Sequence, residues 1–318
     1  MEEALRHMES LGELFNKNDE WFTSNYNSDC WYIKNLGVNL IGNALTPKTY
    51  YSLKSQSINI HKKKEALESL TISCNLQVAK HIKKFISRTG ANLLDISFKK
   101  YSADKYRKRF TLRIEQVNKN LNELTTLFAD LGFNHFMTEI NRVNSCLKCY
   151  VSKEINPIFS VGFEYGLGNL EKIMLYFGFW PKEILPEWSQ DDQYHKNDTE
   201  MLKYILDFLS IEPNLKKIIT ELQGCFLERY TYMDFLGIDF MLDGEMNYKL
   251  YFRVKDNLEI KSLYNCLCKY NISVNERNLT VISNYMKQRK TLMDVLALCF
   301  NEKRLLGIQL YYKEIRGV

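Results

Sequence analysis

The sequence predicts an α+β protein centred on an antiparallel β-barrel of about ten strands with a ring of helices outside it. Three observations lead there. Strand pairs recur with one apolar face and one face of Lys, Arg and Tyr; the pairs start at near-constant spacing; and segments of helical period connect them.

The clearest pair runs from Phe235 to Val254, two alternating runs around a turn with Asp243-Gly244. Successive side chains point to opposite faces of a strand. Leu250, Phe252 and Val254 therefore share one face, and Lys249, Tyr251 and Arg253 the other.

In chain order, Leu5, Met8, Leu11 and Leu14 lie at helical spacing over Glu2 to Asn16. Asp29-Cys-Trp-Tyr-Ile-Lys then reads as a short aromatic strand, with its return strand somewhere in residues 38–54. Leu67, Leu70, Cys74, Val78, Ile82 and Ile86 trace a helix face over His61 to Ser87, ended at Gly90. The second hairpin pairs Leu93–Phe98 with Arg109–Ile114 across a charged loop through Asp104. Phe110, Leu112 and Ile114 oppose Arg109, Thr111 and Arg113 there. Val117, Leu121, Leu124, Phe128 and Leu131 form the next helix, stopped at Gly132, before a mixed segment that contains Cys146 to Val151.

The third hairpin is Phe159–Glu164, a turn at Gly166-Leu-Gly168-Asn, and Leu170–Phe177, with Lys172, Met174 and Tyr176 on one face. A long connection follows, marked as loop by Trp180-Pro and Pro186-Glu-Trp. Asp198 then serves as N-cap to a helix with Leu202, Ile205, Leu206 and Leu209, broken near Pro213. A second helix carries Leu215, Ile218, Ile219, Leu222 and Phe226 into the fourth hairpin, at 235–254. Beyond it come a helix with Leu258, Ile260, Leu263 and Leu267 and a strand-like run around Leu279 to Ile282. The fifth hairpin, Val295–Phe300 with Leu306–Lys313, sets Gln309, Tyr311 and Lys313 against Ile308, Leu310 and Tyr312.

At 318 residues and 45% hydrophobic, with only 14 Gly and 5 Pro, the chain can bury a large core and is read as one domain over 1–318. No apolar signal region follows Met1, and no stretch reaches ~18 uncharged apolar residues. A cytoplasmic monomer away from membranes is expected. The net charge of +5 is too small to demand a nucleic acid and suits a small anion. The eight cysteines, including Cys146-x-x-Cys149 and Cys266-x-Cys268, lie on periodic segments without His at ligand spacing, so reduced thiols are expected and no metal site.

Hairpins starting at Asp29, Leu94, Phe159, Leu236 and Val295 are spaced by 65, 65, 77 and 59 residues, five units of two strands plus a helical connection. Helices need the apolar face of the sheet, which leaves the basic, Tyr-bearing face to line the lumen if the sheet closes. Leu236-Gly-Ile-Asp-Phe-Met-Leu-Asp-Gly with Lys249-Leu-Tyr-Phe, Arg109-Phe-Thr-Leu-Arg-Ile and Gln309-Leu-Tyr-Tyr-Lys resemble the ABBA prenyltransferases, most closely the cyanobactin-type peptide enzymes. That family's barrel has ten strands in five repeats.

The resemblance implies transfer of a dimethylallyl or geranyl group from an allylic diphosphate to a peptide side chain. Cations must meet the departing diphosphate, and π faces the allylic cation. Lys99, Arg109, Arg113, Lys172, Lys249 and Arg253 are the diphosphate candidates, with Tyr176, Tyr251 and Tyr311 as donors and shield. The family typically places a basic carboxylate in its first repeat. This sequence offers Asp29 there but no Glu further along the strand, so Asp95, Glu164 and Asp239 are the alternative bases. Mg²⁺ is compatible with the diphosphate, which binds it with few protein ligands, and no other cofactor is implied. Asp191-Asp192 looks only weakly like the magnesium motif of isoprenyl diphosphate synthases and reads as solvated loop. Three other readings stand beside the peptide one: prenylation of an indole or phenolic small molecule, a basic nucleic-acid-binding module, and a catalytically silent barrel. No zinc knuckle, helix-turn-helix signal or Lys/Arg run supports the nucleic-acid reading.

Overall fold

The computed structural model describes residues 12–13, 15–16, 31–40, 46–53, 75–102, 105–114, 117–151, 157–166, 168–179, 193–227, 231–254, 260–270, 272, 274 and 276–314. Its ten strands are β1 (Trp31–Asn39), β2 (Thr46–Leu53), β3 (Asn92–Ser102), β4 (Lys105–Arg113), β5 (Ile158–Gly166), β6 (Asn169–Gly178), β7 (Thr231–Met241), β8 (Met246–Val254), β9 (Thr291–Phe300) and β10 (Leu305–Glu314). Each pairs antiparallel with its sequence neighbour, and β1 closes on β10, which completes the expected barrel. Closure leaves no free sheet edge.

The connecting helices are α1 (Leu76–Thr89), α2 (Val117–Asp130), α3 (Met137–Val151), α4 (Gln193–Phe208), α5 (Pro213–Leu227), α6 (Ile260–Lys269) and α7 (Glu276–Gln288). Local chemistry sets their ends. Asn75 caps α1 by accepting from the Gln77 amide at 3.0 Å. Gly90 ends that helix at φ 66, returning its N–H to Ile86, a backbone shape that glycine adopts without Cβ strain. Pro213 opens α5, where its missing N–H costs no helical bond.

The apolar strand face packs against these helices. Leu36, Phe110, Phe163, Ile173, Ile238, Leu250, Leu298 and Leu310 are fully buried on it. Phe240 meets Phe128 edge-on at 5.7 Å and Phe136 at 4.9 Å, joining β7 to α2 and to the turn before α3. Each such side chain contributes about 1.5–3 kcal/mol on burial. The other face is buried too, in a separate cluster of Tyr50, Met174, Tyr176, Tyr251, Val295, Ala297 and Tyr311.

Several local expectations give way to longer elements. β1 runs through Leu36-Gly-Val-Asn39, and β3 and β4 absorb most of the charged loop expected around Asp104. The segment around Cys146 is helix α3, and Leu279–Ile282 belong to helix α7. In α7 Leu279, Val281, Ile282 and Met286 are all buried, so a short apolar run there imitated a strand. Asp198 lies inside α4 and does not cap it. Most of the expected first helix, the segment 61–74 and Asp191-Asp192 lie outside the described residues.

Candidate active site in the barrel lumen

The cross-strand register gives all five hairpins the same plan. Each odd strand places a small residue at one level: Gly37, Ser97, Gly162, Gly237 and Ala297. Their partners within the hairpin are Lys48, Arg109, Met174, Lys249 and Gln309. Two residues further along each even strand come Tyr50, Thr111, Tyr176, Tyr251 and Tyr311, and two beyond each small residue stand Asn39, Lys99, Glu164, Asp239 and Cys299. Because the side-chain period is two, these positions share the inner phase.

The small residues give the tyrosines room. A Cβ on Gly37 would lie 3.1 Å from Tyr50 and 3.4 Å from Tyr311; one on Gly237 would lie 3.1 Å from Tyr251 and 3.4 Å from Tyr176. The rings thus lean over bare backbone and meet their neighbours, with centroids 5.5 Å apart for Tyr50–Tyr311, 6.1 Å for Tyr251–Tyr311 and 6.2 Å for Tyr176–Tyr251. The fifth place on the belt is Thr111, too short to reach. Arg109 fills the gap: its guanidinium stands 5.1 Å from the Tyr50 ring centre and donates to the Tyr176 hydroxyl at 3.1 Å. Phe235 stacks on Tyr251 at 4.1 Å and extends the aromatic wall.

Beside the belt lies a charge cluster. Lys172 and Lys249 donate to the same Asp239 oxygen at 2.9 and 2.6 Å, and Lys172 is also 3.3 Å from Glu164. Burial disfavours the charge on Lys249, but Asp239 outweighs it and raises the ammonium above the usual lysine range. Burial likewise opposes ionisation of Glu164, yet Lys172, Lys48, Arg109 and Lys249 together lower it to about 2. The same contest holds Asp239 well below the carboxylate range. Burial, above all, pushes Tyr176 up to about 12 and Tyr251 and Tyr311 well above the ordinary phenol, so these three are neutral at physiological pH; at Tyr50 burial pushes the same way, but Arg109 and Lys48 outweigh it and lower the phenol. Arg109 Nε is buried without an acceptor among the described residues, a donor left unsatisfied.

Arg109, Lys172, Lys249, Tyr176, Tyr251 and Tyr311 are thus brought together as expected from sequence, with Glu164 and Asp239 among them. Asp95 is buried opposite Thr111 and contributes to the field on Arg109. Arg113 shares the inner phase but is exposed at the end of β4. Arg253 belongs to a second cluster, donating to Asp234 at 2.8 Å and Asp294 at 2.8 Å, with Lys313 on Asp294 at 2.9 Å. Lys99 takes the corresponding backbone place opposite Arg107, and Asp29 lies outside the described residues. Lys48, Tyr50, Met174 and Gln309 are absent from the sequence-derived set. A signal for them exists: Leu36-Gly-Val-Asn39 with Lys48-Thr-Tyr50 repeats the pattern of Leu236-Gly-Ile-Asp239 with Lys249-Leu-Tyr251.

Among the described residues the lumen shows no protein cage for Mg²⁺. Glu164 and Asp239 are engaged by lysines, and no group of three metal-ligating side chains occurs among the described residues. The described Cys225, Cys266, Cys268 and Cys299 are not joined in disulfides, and among the described residues no helix is long and apolar enough to cross a membrane.

The closed ten-stranded barrel with its outer helices is the fold of the ABBA-type prenyltransferases. A 6-dimethylallyltryptophan synthase from Micromonospora olivasterospora, solved with DMASPP and Trp, superposes with TM-score 0.59 at 10% identity, covering 88% of this chain and 81% of that one. A 5-dimethylallyltryptophan synthase from Streptomyces coelicolor gives TM-score 0.53 at 8% identity over 89% and 82% of the two chains. The prenyltransferase PriB, in a ternary complex with L-tryptophan and dimethylallyl thiolodiphosphate, gives 0.55 at 9% identity over 89% and 81%. No family model matches the sequence, and no curated protein does.

Proposed function

We propose that this protein is a prenyltransferase that moves a dimethylallyl group from its diphosphate to an aromatic small molecule of the indole type. The observation that carries the reading is the closed lumen itself, in which a belt of tyrosines stands beside Lys172, Lys249 and Arg109. Ionisation breaks the carbon–oxygen bond, and the diphosphate leaves with the electron pair. Arg109, through its open Nε, and the two lysines stabilise that developing charge. The tyrosine faces stabilise the allylic cation and, with the closed sheet, keep out water that would quench it. An aromatic carbon then attacks the cation, forming the new carbon–carbon bond, and the resulting ring cation passes its proton to a lumen carboxylate, Glu164.

The tryptophan-processing neighbours favour the indole acceptor over the peptide side chain that the sequence motifs suggested. Dimethylallyl is the expected donor, with geranyl as the longer alternative. Incubation with each diphosphate and a panel of tryptophan, free indoles, phenols and Tyr- or Trp-containing peptides, read by mass spectrometry, tests this. Prenylated tryptophan or indole supports it. Adducts confined to peptides would restore the peptide reading, and no adduct with any acceptor would overturn the enzymatic one.

A further inference from the structure

The first and fourth hairpins carry the same residues at three inner positions and differ at a fourth, 39 against 239. Gly37 pairs with Lys48 as Gly237 pairs with Lys249, and Tyr50 and Tyr251 follow each lysine by two residues. Residue 39 faces Thr46, two before Lys48, as residue 239 faces Asn247, two before Lys249. Position 239 is Asp and grips Lys249 at 2.6 Å; position 39 is Asn. Among the described residues Lys48 has no ion pair.

We propose that Lys48 is the proton-accepting member of the diphosphate site: it takes up a proton from solvent as the anion enters, whereas Lys172 and Lys249 are already charged. This rests on the diphosphate reading above. Burial, with Arg109 and Lys172 as neighbouring cations, holds the Lys48 amine below the ordinary lysine range against the opposing pull of Tyr50 and Glu164. Cys299, from β9, also faces it and is itself raised to about 11, mainly by burial, so it brings a neutral thiol. Among the described residues no carboxylate salt bridge holds the Lys48 charge; a diphosphate would.

The arrangement suits a site that must hold an anion and then release it. A lumen of permanently charged cations would be costly when empty and slow to let the product go; one lysine that loses its proton on release lessens both problems. In the window between the pKa of Lys48 in the free protein and its higher value beside the anion, affinity falls by about tenfold per pH unit as pH rises, the slope for uptake of one proton.

The test is calorimetric titration of dimethylallyl thiolodiphosphate in two buffers of different ionisation enthalpy, at alkaline pH where the ligand is fully ionised. The expected result is uptake approaching one proton per bound analogue in the unmodified protein. Lys48→Arg, a permanent cation, should bind with no such uptake. Asn39→Asp, which supplies the carboxylate found in the fourth hairpin, should also abolish it and weaken binding. Binding without proton uptake, or equal uptake in Lys48→Arg, would overturn the proposal and leave the diphosphate reading intact. Failure of the unmodified protein to bind the analogue at all would remove both.

Discussion

Lys172 and Lys249 stand on strands that do not pair with each other, yet both donate to one oxygen of Asp239 on the strand between them. All three side chains are largely buried, at 12%, 8% and 5% exposure. Asp239 therefore holds two ammonium groups in place before any ligand arrives, and it also competes with any anion that uses them.

Asp239→Asn should separate those two effects. Removing the carboxylate that the two buried ammoniums share, with Glu164 left only to Lys172, costs about 3 kcal/mol of stability, read as a lower unfolding midpoint. Diphosphate affinity should rise by roughly tenfold, about 1.4 kcal/mol, because a like charge leaves the site. Weaker binding by calorimetry would mean that Asp239 positions the lysines more than it opposes the ligand.

Lys249 and Arg253 share a strand face but have different partners, so they should not respond alike. Lys249→Met removes a charge-assisted bond to the diphosphate, worth about 1.5–3 kcal/mol, or roughly ten- to a hundredfold in affinity. Arg253→Met leaves Asp234 short of its guanidinium partner and should lower stability while changing affinity by less than about threefold, since two carboxylates already occupy that arginine. Equal affinity losses would place the anion between the two clusters.

Gly237→Ala puts a methyl 3.1 Å from the Tyr251 ring and 3.4 Å from Tyr176. The rings must yield, at a cost of about 1–3 kcal/mol in thermal or urea unfolding. The tyrosine belt also narrows, so geranyl transfer should fall more than dimethylallyl transfer in competition assays.

The acid response follows from Glu164. Its folded-state pKa of about 2 lies below the unfolded carboxylate value of about 4.3, so its contribution to stability is full above the unfolded value and is lost as pH falls towards 2. Glu164→Gln should flatten the unfolding midpoint over that range relative to the unmodified protein. An identical acid profile would show that the four surrounding cations do not act on this carboxylate.

The barrel was legible because its outer face is. Leu250, Phe252 and Val254 alternate cleanly, and the same alternation at Phe110, Leu112 and Ile114 reveals the repeat. The first hairpin was harder to read: Gly37, Asn39 and Pro47 weaken the strand pattern, and with it went Lys48 and Tyr50. Phase alone also placed Arg253 with Lys249. Alternation says which side of a sheet a residue faces, but not how far along the lumen it lies or which carboxylate reaches it first; Asp234 and Asp294 come from two other strands. The gap in the tyrosine belt, filled by Arg109 from a neighbouring level, likewise depends on side-chain reach.

The most direct test is a crystal structure with dimethylallyl thiolodiphosphate. The diphosphate oxygens are expected within hydrogen-bond distance of Lys249, Lys172 and the Arg109 Nε, with the dimethylallyl chain against Tyr176, Tyr251 and Tyr311. An analogue bound elsewhere, with Asp239 still holding both lysines and the lumen empty of ligand, would contradict that placement.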